Sequence, residues 1–215
     1  MSKLKSILIN GLEIQKIALS SYQIDQLLTY IELLAKWNKV YNLTSIREKE
    51  QMVTLHLLDS LSIVPSIAEI KQRLSIIDIG TGGGLPGIPL AICFPESQLT
   101  LVDARDKKIR FLRQAISQLD IPNALAIHHR AEELDAEKKY DIIVTRAFSS
   151  LKDMLGISGH LCHTDGIFLA MKGQRPDDEV AEVPDGYEIT AIQHLSVPGL
   201  TAERHLIHIH HKQLT

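Results

Sequence analysis

Cysteine is scarce: Cys93 and Cys162 are the only two among 215 residues. Both stand in apolar surroundings, which excludes a disulfide framework and suits a reducing compartment. Long hydrophobic runs are missing as well, and none approaches the roughly 18 residues that a membrane span needs. The start of the chain does not read as a signal peptide, because Asn10, Gly11 and Glu13 interrupt its apolar stretch and no small-residue cleavage site follows. Disorder is excluded by a hydrophobic content of 45% spread along the whole chain. A cytoplasmic, soluble, monomeric protein of one domain plus a small appendage is expected. Positive charge is also short, with 23 Lys and Arg against 26 Asp and Glu, a net charge of −3. Coating nucleic acid by bulk electrostatics is thereby excluded, although a local basic patch is not.

What is present divides near residue 72. Residues 1–72 read as a helical segment packed on a sheet, and residues 73–215 as the sheet domain itself. In the first part Ser21 can cap a helix in which Ile24, Leu27, Leu28, Ile31, Leu34 and Ala35 recur at helical spacing. Ser45 and Glu48 fit a capping box for a second helix running to Pro65, and a short third helix is expected from Ile67 to Ile70. In the second part β-rich runs alternate with helical ones, the signature of βαβ units. Strands are predicted at Ser75–Ile79, Gln98–Asp103, Ala124–His128, Asp141–Thr145 and Gly166–Met171. Helices are predicted between them at Gly87–Phe94, Asp106–Leu119 and Leu151–Leu161. Tyr187–Leu195 and Arg204–His210 follow without a helix between them and read as an antiparallel hairpin on the edge of a doubly wound sheet.

The most informative stretch is Asp78-Ile79-Gly80-Thr81-Gly82-Gly83-Gly84-Leu85-Pro86-Gly87. No Gly-Lys-Ser/Thr closes it, so it is not a Walker phosphate loop. Gly82, Gly84 and Gly87 fit the dinucleotide pattern G-x-G-x-x-G, whereas Gly80, Gly82 and Gly84 fit G-x-G-x-G. The first frame would make the chain an NAD-binding, non-catalytic regulator. The second starts directly at the strand end and, with Asp78 before it, resembles the first motif of Rossmann-like S-adenosylmethionine (SAM) methyltransferases. An acidic mouth suits a cofactor with an ammonium and a sulfonium, and Pro86 removes a donor that a pyrophosphate would use. Asp103, at the next strand end, can accept both ribose hydroxyls or can simply cap the following helix.

Further segments narrow the choice. Trp37-Asn38, Asn42-Leu43-Thr44, His56-Leu57-Leu58-Asp59-Ser60-Leu61, Asp78 through Pro89, Lys107-Lys108 with Phe111-Leu112, Arg130-Ala131-Glu132, Thr145-Arg146-Ala147-Phe148 and Met171-Lys172-Gly173 together resemble the RsmG (GidB) family of bacterial small-subunit rRNA methyltransferases. The resemblance runs from about Tyr30 to Lys212. It implies an α/β, Rossmann-like class I SAM-dependent methyltransferase with a mostly parallel seven-stranded sheet, helices on both faces and a helical N-terminal extension. It also implies methyl transfer from SAM to N7 of a guanine in 16S rRNA, at family position 527 in the decoding-centre loop, on free rRNA or the small ribosomal subunit. By the same resemblance Gly80 and Leu85 line the methionine side of the cofactor, Ala131 and Glu132 meet the adenine, and Arg146 closes the site. Asp78, Gly82 and Asp103 complete the expected cofactor set.

Guanine N7 carries an in-plane lone pair and no proton, so its methylation needs alignment and no general base. Arg146 is the expected catalytic residue, holding the target's phosphate or guanine O6, or else pairing with a cofactor-side carboxylate and only shaping the pocket; a surface arginine is the plainer alternative. Lys107 and Arg110 on the exposed side of the helix from Asp106, with Lys172 and Arg204, are the candidate RNA contacts; a solvated helix face is the plainer alternative for the first two. Trp37 either packs the helical segment or meets RNA. The ten histidines include His160-x-Cys162-His163 and an alternating tail, but neither makes a convincing ligand set, and no metal is expected.

Overall fold

A computed structural model describes residues 2–70, 73–146 and 148–212. The helical part opens with α1 (Lys3–Ile14), which the sequence reading did not anticipate, and continues with α2 (Ser21–Tyr41). The Ser2 hydroxyl caps α1. Gly11 lets α1 lie against Leu58, since a Cβ there would stand 2.5 Å from that side chain. The N-cap of α2 is Ser20, not Ser21: its hydroxyl accepts from Gln23 N–H and the Gln23 side chain returns to the Ser20 N–H, a complete capping box. Leu27, Tyr30, Ile31 and Leu34 form the buried stripe, and Asn42, left-handed at φ 48°, ends the helix.

A second helical run spans α3 (Lys49–Met52), a π-helical turn (Val53–Leu58) and α4 (Asp59–Leu61). The expected Ser45–Glu48 box does not form, because buried Asn38 has taken over the loop. Its amide donates to the Ile46 carbonyl at 3.0 Å and accepts from Thr44 N–H at 2.9 Å, and the helix starts after Glu48. Pro65 begins the next helix, α5 (Val64–Ala68), and does not end the previous one, consistent with its fixed φ and missing N–H.

The sheet comprises β1 (Ser75–Ile79), β2 (Gln98–Asp103), β3 (Ala124–His128), β4 (Tyr140–Arg146), β5 (Cys162–Lys172), β6 (Tyr187–His194) and β7 (His205–His211). Between and beside them run α6 (Gly87–Cys93), α7 (Asp106–Gln118), α8 (Leu151–Ser158), which a 3₁₀ turn extends to Leu161, and α9 (Asp177–Val180). Strand order is β3-β2-β1-β4-β5-β7-β6. The first five are parallel, and β7 runs antiparallel to both β5 and β6. The expected architecture is therefore present, with the tail hairpin inserted so that β7 lies inside and β6 at the edge.

Alternation along the strands feeds two apolar layers. Ile76, Leu99, Leu101, Ile142 and Leu169 pack with α2, α6, α7 and the π-helical turn, while Ile77, Val102, Ile143 and Phe168 face α8. The first layer joins residues from both sides of position 72 in one cluster. Parallel register brings Asp78, Asp103 and Arg146 to the same carboxyl edge of the sheet, where ligands of doubly wound folds bind.

Candidate active site

The turn after β1 is held down by the neighbouring strand: Gly80 and Thr81 N–H groups both donate to the Val102 carbonyl, at 2.9 and 3.1 Å. Gly82, at φ 62°, adopts a left-handed conformation suited to glycine. Gly87 is required for close approach, because a Cβ there would lie 2.0 Å from Leu101 Cδ2 and 2.7 Å from Asp78 Oδ2. The turn's far side leans on the helical segment, where the buried Tyr30 hydroxyl donates to the Gly83 carbonyl at 2.6 Å.

Asp78 lies beneath this turn and not at an open mouth, with 1% of its surface exposed. Its Oδ2 accepts from Thr81 Oγ1 at 2.6 Å and Gly87 N–H at 2.8 Å. Its Oδ1 is buried with no hydrogen-bond partner among the described residues. Burial pushes the carboxyl up to about 6, against the Thr81, Gly87 and Arg146 contributions that favour the anion. An orphaned carboxylate oxygen under a glycine turn fits a cationic ligand group.

Asp103 is also buried, but all its contacts are satisfied. Oδ1 accepts from Arg105 N–H at 2.9 Å, and Oδ2 from Gly82 N–H and Lys108 Nζ, each at 3.0 Å. It does not occupy the N-cap of α7, which is Arg105. The Asp103 carboxylate lines a cavity of about 260 Å³ that also touches Gly80, Arg130, Ala131, Glu132 and Phe148. Four expected cofactor residues, Gly80, Asp103, Ala131 and Glu132, thus meet in one place. Asp78, Gly82 and Leu85 lie in or under the adjoining turn and do not line that cavity.

A second cavity, of about 490 Å³, opens beyond Phe148 and is lined by His56, Asp59, Arg146, Lys172 and Arg204 among others. Phe148 borders both cavities. Arg146 Nη1 donates to Asp59 Oδ2 at 3.1 Å and to the Leu55 carbonyl at 3.4 Å. Arg204 Nε reaches the other oxygen, Oδ1, at 2.7 Å. Arg146 is thus paired with a carboxylate of the helical segment, not with the cofactor-side one expected. Lys172 Nζ is bound by Glu179 at 2.7 and 3.0 Å and by the Phe148 carbonyl at 3.2 Å. Lys172 and Arg204 therefore line this cavity, each already paired with a carboxylate. Lys107 and Arg110 are exposed on α7, the first donating to the Tyr41 carbonyl at 3.2 Å and the second paired with Asp106 at 2.6 Å. Trp37 packs between Tyr41 and Phe111, joining α2 to α7.

His56 bonds the Thr44 hydroxyl through Nε2 at 2.8 Å and the Leu55 carbonyl through Nδ1 at 3.0 Å. A carbonyl only accepts, which assigns the proton to Nδ1. Burial and the Arg146 charge hold this imidazole down to about 4, so it is neutral at pH 7. Burial pushes both cysteine thiols up to about 12. Neither is activated as a nucleophile. Among the described residues no three His, Cys, Asp or Glu side chains gather closely enough to hold a metal ion, and no helix is long and apolar enough to cross a membrane.

Asp59, Tyr30 and His56 are the residues that sequence reasoning passed over as individual site groups. An aspartate inside an otherwise apolar helical run, Leu57-Leu58-Asp59-Ser60-Leu61, was the available signal for the first, since buried carboxylates are rarely unpaired.

Solved structures share this architecture at low identity. TrmN from Thermus thermophilus aligns with a TM-score of 0.58 at 15% identity over 74% of this chain and 53% of its own. The ribosomal protein L11 methylase from Lactobacillus delbrueckii subsp. bulgaricus aligns at 0.54 and 19% identity over 73% and 77%. Relatives named ribosomal RNA small subunit methyltransferase G are much nearer in sequence. The one from Alteromonas mediterranea is 47% identical over 205 residues, 95% of each chain. That from Ralstonia nicotianae is 48% identical over 194 residues, 88% of this chain and 87% of its own. With residues 23–207 also matching the family described as rRNA small subunit methyltransferase G, the chain belongs to that family.

Proposed function

We propose that this chain transfers a methyl group from SAM to N7 of a guanine in 16S rRNA, in the decoding-centre loop. The observation that carries the reading is the pair of cavities sharing Phe148: one edged by Asp103, the other by Lys172 and by two arginines paired with Asp59. Gly80, Asp103, Ala131 and Glu132 would hold the adenosine part of SAM, and the Asp78 carboxylate buried beneath the turn would favour its cationic end through its charge. SAM would contribute an electrophilic methyl carbon. The protein's task is then to exclude water and fix the acceptor, which can remove roughly 7–11 kcal/mol of barrier. Arg146, held from behind by Asp59, presents its remaining donors to the guanine or its phosphate. A neutral His56 and two protonated thiols are compatible with a reaction that needs neither base nor nucleophile.

The NAD-binding alternative is disfavoured by the glycines themselves. Gly84 and Gly87 are used to pack against Ile88, Leu112 and Leu101, and the Gly87 N–H that would greet a pyrophosphate is given to a carboxylate. Labelled SAM incubated with small-subunit particles and, separately, naked rRNA tests the assignment. Strand cleavage sensitive to 7-methylguanine should map the label to one guanine of the decoding-centre loop. Label elsewhere, or none with either substrate, would overturn it.

A further inference from the structure

Asp59 is 3% exposed and each of its two carboxylate oxygens carries one arginine. The three residues come from distant places: the helical run after the π turn, the end of β4 and the residue before β7. A carboxylate that served only to tie the helical segment to the sheet would need one cation. This one holds two guanidiniums beside each other in the wall of the larger cavity. Both keep donors in reserve. Among the described residues Arg146 spends only Nη1, on Asp59 and the Leu55 carbonyl, leaving Nε and Nη2. Arg204 spends Nε on Asp59 and Nη1 on the Glu203 carbonyl, leaving Nη2. The widened π-helical turn places the Leu55 carbonyl and Asp59 at the same guanidinium, and such turns recur at functional sites. Counting Arg146, Arg204 and Lys172 against Asp59 and Glu179 leaves one positive charge, so the pair is oriented without being neutralised.

We propose that Asp59 is a positioning residue: it presets Arg146 and Arg204 as a pair whose free N–H groups receive the oxygen acceptors of the nucleotide being methylated. The inference rests on the rRNA methyl-transfer reading. Arginine is a flexible side chain, and orienting two of them beforehand lowers the ordering cost of bringing a bound nucleotide into line for transfer. The planar guanidinium makes the preset geometry specific.

Asp59→Asn separates this role from a general electrostatic or structural one. Removing a negative charge from a cationic cavity favours RNA binding by Coulomb's law, whereas losing the preset pair slows transfer. Single-turnover methylation of a substrate that the wild type labels should fall at least tenfold in Asp59→Asn. RNA affinity should stay equal or tighten, and affinity for S-adenosylhomocysteine should stay within twofold. Arg204→Gln should give a similar loss of rate, and the double variant should be no more than threefold slower than Asp59→Asn alone, because the two residues act as one unit. Losses that multiply, a wild-type rate in Asp59→Asn, or weakened cofactor binding that accounts for the defect would overturn the inference. Should Asp59→Asn not fold, Arg204→Gln decides, and a full rate there refutes the pairing. A wild type that labels no rRNA refutes the underlying function instead.

Discussion

Lowering the pH from about 7 to about 5 reaches one buried carboxyl of the site: Asp78, beneath the glycine turn. Its carboxyl stands at about 6, above the ordinary 3.8, chiefly through burial. A carboxyl raised on folding contributes stability that is present in full below its unfolded value and is lost as the pH rises through the folded one. The difference between 3.8 and about 6 corresponds to about 3 kcal/mol, at ~1.4 kcal/mol per tenfold. The ligand-free protein therefore gains stability from this group on acidification. Cofactor binding runs the opposite way, because the ammonium of S-adenosylhomocysteine is best received by the ionised form. The ionised fraction falls from roughly nine-tenths to one-tenth over this interval, so affinity should drop about tenfold. Titration calorimetry at several pH values measures the slope, and Asp78→Asn should abolish it while every histidine remains in place. An affinity independent of pH, or an equal slope in Asp78→Asn, would refute the placement of Asp78 against the cofactor's cationic end.

Arg146→Ala should lower rRNA methylation at least tenfold with the fold intact, and a thermally stable variant with an unchanged single-turnover rate would sink its role. Tyr30→Phe removes the one donor to the Gly83 carbonyl among the described residues. A buried acceptor left unmade costs ~1–3 kcal/mol, so the melting temperature should fall by roughly 2–12 °C at ~2–4 °C per kcal/mol, with weaker S-adenosylhomocysteine binding; an unchanged melting curve counts against the clamp. Lys107→Gln on the exposed face of α7 should reduce the salt dependence of RNA binding by a slope of about one, and an unaltered slope would leave that face to solvent.

Strands β1, β2 and β3 are legible to the residue because each is a short apolar run bounded by turn-forming residues. Strand β5 is not: it begins four residues earlier than its apolar run, through the polar stretch His163-Thr164-Asp165 that is exposed and needs no apolar signal. In the sequence Asn10 and Gly11 count only against a signal peptide, so helix α1 is not anticipated; in the fold Gly11 marks close contact with Leu58. The glycine turn and the strand-end carboxylates were legible because they are local in sequence. The arginine pair was not, since Asp59 stands 87 residues from Arg146 and 145 from Arg204, and only the folded chain supplies that adjacency. Lys172 and Arg204 show the same limit: a basic residue near a strand end reads as a free cation until its acidic partner is known.

Phe148 borders both cavities, so on the proposed reading the cofactor and the rRNA would share one residue as a common boundary. Any coupling between the two binding events would then be reciprocal. Whatever factor the bound cofactor introduces into the affinity for rRNA, rRNA must introduce the same factor into the affinity for the cofactor. After transfer the cofactor has lost its sulfonium charge and the guanine has gained a positive one, so this reciprocity acts on products as well as substrates. Their release is a joint property of two ligands and one aromatic wall.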